Sequence, residues 1–246
     1  MRVRRPWLDR ITEACVRTRG MIAGLVIVVC LVWGGLASAA DDTLETRQLV
    51  EKARFTLENF IADPNMGALR DLLKSAKGVF IAPQVLKGAF VVGASGGSGV
   101  FLARDANTGR WSQPAFYTLG GVSFGLQAGG EASEVILVVT SDRGVSAMLS
   151  NNFKLGADAS FAVGPVGAGV GGATAALSAD IVAFSRSKGL YGGVALDGSV
   201  IAVRDSWNQA YYGKSVTPTD ILVNRDVRNP ESSTLIDAVT KVSSAR

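Results

Sequence analysis

From Gly78 to Val203 the chain reads as short apolar runs punctuated by glycine, a pattern that favours strands over long helices. The stretch Ser185 to Gly213 is the most readable part of it. Asp197-Gly198 is a two-residue turn signal, since a type I′ turn needs φ > 0 at both central positions and Asp-Gly tolerates that. The predicted hairpin pairs Leu196 with Ser199, Val194 with Ile201, Gly192 with Val203 and Tyr191 with Arg204. Alternation puts Val194, Leu196, Ile201 and Val203 on a core face, and Tyr191, Ala202 and Arg204 on the other. Arg186 and Lys188, two apart, share one face of the extended segment ahead of the hairpin. Asp205-Ser206 is a helix-start signal for a turn through Trp207 and Tyr211.

Further strands are expected at Val79 to Ala82, Val135 to Thr140, Ala157 to Val163 and Ile181 to Ser185. Ala89 to Ala94 and Gly99 to Arg104 are expected as two strands joined across Ser95 to Ser98. Ala115 to Gln127 is longer, with glycines that suggest bends. Helices flank this region. Asp42 and Glu45 resemble a capping box, and Leu49, Ala53, Leu57 and Phe60 follow at helical spacing until Asp63-Pro64. A second short helix is expected at Met66 to Lys77, helical turns at Asp142 to Leu149, and a last helix from Pro230-Glu231 with Leu235, Val239 and Val242 on one side. The fold class is α+β: an antiparallel sheet, able to close toward a barrel, with N-terminal helices and a C-terminal helix.

Six arginines precede an apolar run, Met21 to Leu36, and then Ala37-Ser38-Ala39. That is the layout of a secretory signal peptide, so residues 1–40 are read as a leader and 41–246 as a single domain. A retained membrane anchor is the competing reading; the run is short for a span, which needs about 20 residues. Six of the 25 basic residues and two of the 21 acidic ones lie in the leader, so the rest carries 19 of each. The basic balance therefore gives no reason to expect nucleic acid, and an anionic partner must be met by a local patch.

Both cysteines, Cys15 and Cys30, fall in the leader, and the chain has no histidine. Zinc sites of the Cys/His type, Ser-His-Asp triads and Cys-His pairs are excluded, and no cofactor or metal is expected. Gly93 to Gly99 imitates a phosphate loop but continues as Val100-Phe101-Leu102, which is strand rather than helix. Asp105-Ala-Asn107-Thr-Gly109 opens like a calcium loop, yet Phe116 stands where the last ligand should be, so a hairpin loop is expected. Glu131 with Glu134, and Asp197 with Asp205, are the carboxylate pairs open to a hydrolase reading, but a two-acid site needs them opposed across a cleft. No enzyme is expected.

Several segments resemble the SYLF lipid-binding family: Ala76-Lys-Gly78, Gly97-Ser-Gly99-Val, Trp111-Ser112-Gln-Pro114, Gly164-Pro165-Val166-Gly167, and above all Ser187-Lys188-Gly189-Leu190 with Asp197-Gly198-Ser199. The resemblance implies binding of membrane lipids. Together with the leader it implies a bacterial exported member, periplasmic and peripheral to the membrane. The expected partners are then anionic phospholipids or a membrane surface; actin, a partner of some eukaryotic members, is not expected there, and protein partners are unspecified. Candidate lipid-contact residues are Arg186, Lys188, Arg204, Arg104 and Lys87, read as cations at strand ends near Trp111, Tyr191 and Trp207. The alternative is a structural or protein-interaction module of the envelope with no specific lipid ligand.

Overall fold

Among the described residues eight strands form between Gly78 and Val203: β1 (Gly78–Ala89), β2 (Val92–Ala103), β3 (Ala115–Phe124), β4 (Gly129–Val139), β5 (Asn152–Lys154), β6 (Phe161–Val163), β7 (Ile181–Ser187) and β8 (Val200–Val203). They make one sheet in the order β5-β8-β3-β2-β1-β4-β7-β6, antiparallel throughout except for β6 beside β7. The computed structural model describes residues 41–89, 92–124, 129–164, 178–187, 196 and 198–245. Within it, Thr43–Arg246 form one compact unit.

Chain connectivity forces the sheet to curl. Its two edges, β5 and β6, are consecutive in the chain and joined by residues 155–160, with a bridge between Leu155 and Ala159. Six residues span at most about 20 Å, whereas the edges of a flat eight-stranded sheet would lie about 34 Å apart. The result is a half-barrel with an inner and an outer face, as the α+β expectation allowed.

Alternation then sorts the apolar residues into two cores. Phe80, Phe101, Tyr117, Leu137 and Ile201 point inward and are closed off by Met148 and the segment carrying Ile221 and Leu222. Tyr117 meets the rings of Phe80 and Phe101 edge-on, at 6.4 and 6.3 Å between centroids. Val79, Ile81, Val100, Leu102, Ile136 and Val138 point outward, under the helices. The cover consists of α1 (residues 41–62) and α2 (Gly67–Ser75), with α4 (Asp205–Tyr212) and α5 (Ser233–Ser244) beside them; α3 (Asp142–Leu149) packs beside β5 instead. The helix stop at Asp63-Pro64 is as expected: the Asp63 carboxylate caps the backbone N–H of Asn65 and the next turn is a 3-10 helix, Pro64–Met66. Gly213, at φ 70°, ends α4 in the left-handed conformation that favours glycine.

Two strand expectations need correction. Ser95 to Ser98 is no connection but the middle of β2, opposite Lys87 to Gln84 on β1. Glycine is needed there for contact, not for a turn: a Cβ on Gly97 would stand 2.3 Å from the Gln84 carbonyl oxygen. The predicted hairpin is also not the pairing that forms. Its turn exists, with the Ser199 N–H donating to the Leu196 carbonyl at 2.9 Å and Gly198 at φ 76°. Both sides of β8, however, are taken: Ile201 faces Leu119 of β3 on one side and Phe153 of β5 on the other. The slot expected for Val194, Gly192 and Tyr191 is filled by β5; residues 188–195 lie outside the described residues.

Candidate functional site

The helices cover only part of the outer sheet face, and the uncovered boundary is where polar side chains gather. β1 carries a bulge at Pro83-Gln84, where its register shifts against both β2 and β4. A proline removes one ladder donor, so a bulge is the place a central strand tolerates it. Beside the bulge, α1 leaves two hollows of about 330 Å³ each, which share Lys52, Pro83 and Gln84. One is bordered by Phe55, Asn59 and Glu134, the other by Gln48, Leu86, Ser98 and Trp207.

The register aligns Gln84, Ser98, Thr118 and Ala202 in one row across β1, β2, β3 and β8. Arg204 reaches this row from the end of β8. Its guanidinium lies 3.4 Å from the Trp207 ring centroid, and Nη1 donates to Ser98 Oγ at 3.0 Å. A cation flat on an indole face is held electrostatically by the ring's quadrupole. Arg186 sits at the same height on β7, opposite Glu134 on β4. Its Nε donates to Glu134 Oε2 at 2.9 Å, and its guanidinium lies 5.2 Å from the Phe60 ring centroid. Thr56 Oγ1 donates to the other carboxylate oxygen at 3.3 Å, so α1, β4 and β7 are tied at one point. Lys52 is exposed on α1 and makes no ion pair among the described residues.

The sequence-predicted cations therefore part company. Arg186 and Arg204 lie on the outer face along one belt. Arg104 lies at the opposite end of β2, where Nη1 donates to the Lys74 carbonyl at 2.7 Å and Nε to the Gly109 carbonyl at 3.1 Å. Lys87 points to the inner face, opposite Ser95 and Glu131. Lys188 lies outside the described residues. Lys52 was not singled out by sequence: it belongs to a helix face of mixed charge, and only the packing of α1 shows which of its cations overhangs the sheet.

Other polar side chains are tied by hydrogen bonds within the fold. Glu131 and Glu134, three apart on β4, point to opposite faces; Glu131 accepts hydrogen bonds from Ser133 and Ser187, and Glu134 is held by Arg186. Asp105 accepts from the backbone N–H of Thr108 at 2.7 Å and of Asn107 at 2.9 Å, which makes the expected hairpin loop and holds its carboxyl below the usual range. Asp180 is likewise held low, by the hydroxyls of Ser141 and Ser160. Burial pushes the Tyr117 hydroxyl well above its ordinary value while it donates to the Met148 carbonyl at 2.6 Å. Among the described residues no cluster of three or more acids could hold a metal ion, and no helix is long and apolar enough to cross a membrane.

Comparison with known proteins agrees with the motif resemblance. Residues 120–242 match the family model Ysc84, described as "Las17-binding protein actin regulator". The SH3 domain-containing YSC84-like protein 1 of Bos taurus is 32% identical over 170 residues, 68% of this chain and 49% of that protein. Its Homo sapiens counterpart is 33% identical over 168 residues, 68% of this chain and 48% of that protein. LAS seventeen-binding protein 3 of Saccharomyces cerevisiae is 32% identical over 180 residues, 72% of this chain and 38% of that protein. The chain thus spans about half the length, or less, of these relatives. These names correct one expectation. Actin cannot be set aside as a partner class, because the matched family is itself described as an actin regulator. With its model covering half of the sequence, the chain belongs to the Ysc84 family, whose domain is the SYLF domain.

Proposed function

We propose that this chain is a binding module of the bacterial cell envelope that contacts anionic phospholipid headgroups through the belt of Lys52, Arg204 and Arg186, and that it catalyses no reaction. Residues 1–40 serve as its export signal, and residues 41–246 act as one domain, peripheral to the membrane on the periplasmic side. The observation that carries the reading is the groove between α1 and the β1 bulge, where Lys52 overhangs Gln84 and Ser98 and the Arg204 guanidinium is pre-oriented on Trp207. Each cation near an anionic lipid surface contributes about 1 kcal/mol. Phosphate oxygens accept from guanidinium and ammonium groups, and the neighbouring amides and hydroxyls supply further donors.

Sedimentation of the full chain with phosphatidylglycerol-containing and with pure phosphatidylcholine vesicles, at low and high salt, tests it. Binding should favour the anionic vesicles and fall with salt. Equal binding to both would sink the reading. The description of the family favours a second reading, contact with actin. Co-sedimentation with actin filaments, in the absence of any vesicle binding, would move the assignment there.

A further inference from the structure

Beyond the polar belt, toward the Ala89 end of β1, the outer face changes character. The register lays down two more rows. One runs Ala132, Leu86, Gly96, Gly120, Val200 across β4, β1, β2, β3 and β8. The next runs Gly130, Gly88, Ala94, Val122 across β4, β1, β2 and β3. None of these nine positions has a polar side chain. Leu86, Val122 and Val200 are 55%, 73% and 41% exposed; the other large aliphatic side chain of the sheet so exposed, Val163 at 48%, stands alone at the end of the β6 edge. On the inner face at the same height stand Glu131, Lys87, Ser95 and Gly121. The open end of the sheet is thus apolar outside and polar inside, the polarity of a sheet in contact with lipid rather than water.

We infer that these two rows enter the outer layer of a bilayer, so that the lipid contact proposed above is an insertion through Leu86, Val122 and Val200 and not headgroup attraction alone. Three observations select lipid over a second protein. Rows two residues apart on a strand are separated by about 7 Å, which matches the roughly 5–10 Å depth of interfacial burial. None of the nine row positions is an aromatic or an arginine of the kind that dominates protein interfaces. The chain between Ala89 and Val92 reads Phe-Val, and that between Phe124 and Gly129 reads Gly-Leu-Gln-Ala, neither with a charge. The order along the sheet is then two apolar rows followed by the belt of Lys52, Arg204 and Arg186, as the order in a leaflet is acyl chain followed by phosphate.

The inference rests on the lipid-binding reading, and the two can fail separately. The test compares the full chain with the triple variant Leu86→Asn, Val122→Ser, Val200→Ser on vesicles of phosphatidylglycerol and phosphatidylcholine in equal parts. Val223→Ser, at a position 53% exposed elsewhere, serves as the control. The triple variant should bind at least about tenfold more weakly, with the binding that resists high salt lost and the control unchanged. A Val122→Trp variant should be quenched by bromine on the lipid acyl chains. Unchanged vesicle binding by the triple variant, or an unquenched tryptophan on bound protein, overturns the inference while the lipid reading stands. No vesicle binding by the unmodified chain overturns both. A dimer of the unmodified chain in solution that the triple variant abolishes would assign the face to a second copy instead.

Discussion

The two ends of the half-barrel are made from the same strands and follow opposite rules. At the Gly78 end both faces are buried and apolar, one against Phe80, Phe101 and Tyr117, the other under the helices. At the Ala89 end the outer face is apolar and exposed, while Lys87 and Glu131 face inward. The difference separates the end that carries most of the core from the end that leaves apolar side chains open to solvent.

The strongest way to break this contrast is to remove a ring from the packed end. Phe101→Ala should cost about 3–5 kcal/mol of unfolding free energy, read by urea denaturation. A paired glycine test comes next. A Cβ on Gly99 would lie 2.4 Å from the Phe80 ring, while one on Gly120 meets nothing nearer than the Ser95 carbonyl oxygen at 3.7 Å. Gly99→Ala should then cost about 1–3 kcal/mol and Gly120→Ala stay within about 0.5 kcal/mol. Equal effects would erase the distinction between the two ends. At their boundary, Glu134→Ala removes the partner of Arg186, whose side chain is 23% exposed. Water can reach the freed guanidinium, so the loss should be about 1 kcal/mol, and hydrogen exchange should show it first in α1 and β7.

The smallest effect concerns acid. Asp180 is held by Ser141, which also caps α3, and by Ser160, which precedes β6. Its folded-state pKa is depressed, so its contribution is complete above the ordinary carboxylate pKa and is lost as pH falls through the folded value. A denaturation series from pH 5 downward should show this slope diminished in Asp180→Asn.

Local signals were legible in the sequence and pairings were not. The Asp63-Pro64 stop, the turns of α3 and the Asp105 loop each depend on neighbours within four residues, so their chemistry is written locally. The Asp197-Gly198 turn signal matches a turn that forms, yet the partner of Ile201 is Phe153, 48 positions away, which no turn residue encodes. Ser95 to Ser98 read as a connection because glycine and serine serve turns; only the close approach of Gln84 shows that they pave a strand. Of the candidate cations, charge at strand ends pointed to Arg186 and Arg204, which lie on the outer face along one belt. Which face each cation takes depends on the bulge at Pro83-Gln84 and on register, and these separated Lys87 from the belt and brought Lys52 to it.

The short link between β5 and β6 also bears on how the molecule avoids joining its own kind. A strand edge is a row of unpaired backbone donors and acceptors on which another chain can add. Here each final edge is three residues long, too short to template much. The strands they cover, β7 and β8, have seven and four residues and stay open until the ends of the sheet dock. Transiently unpaired edges are the aggregation hazard of a folding sheet. Here that interval closes with the two shortest strands among the described residues, so a lesion in β5 or β6 should be felt as insolubility before it is felt as instability.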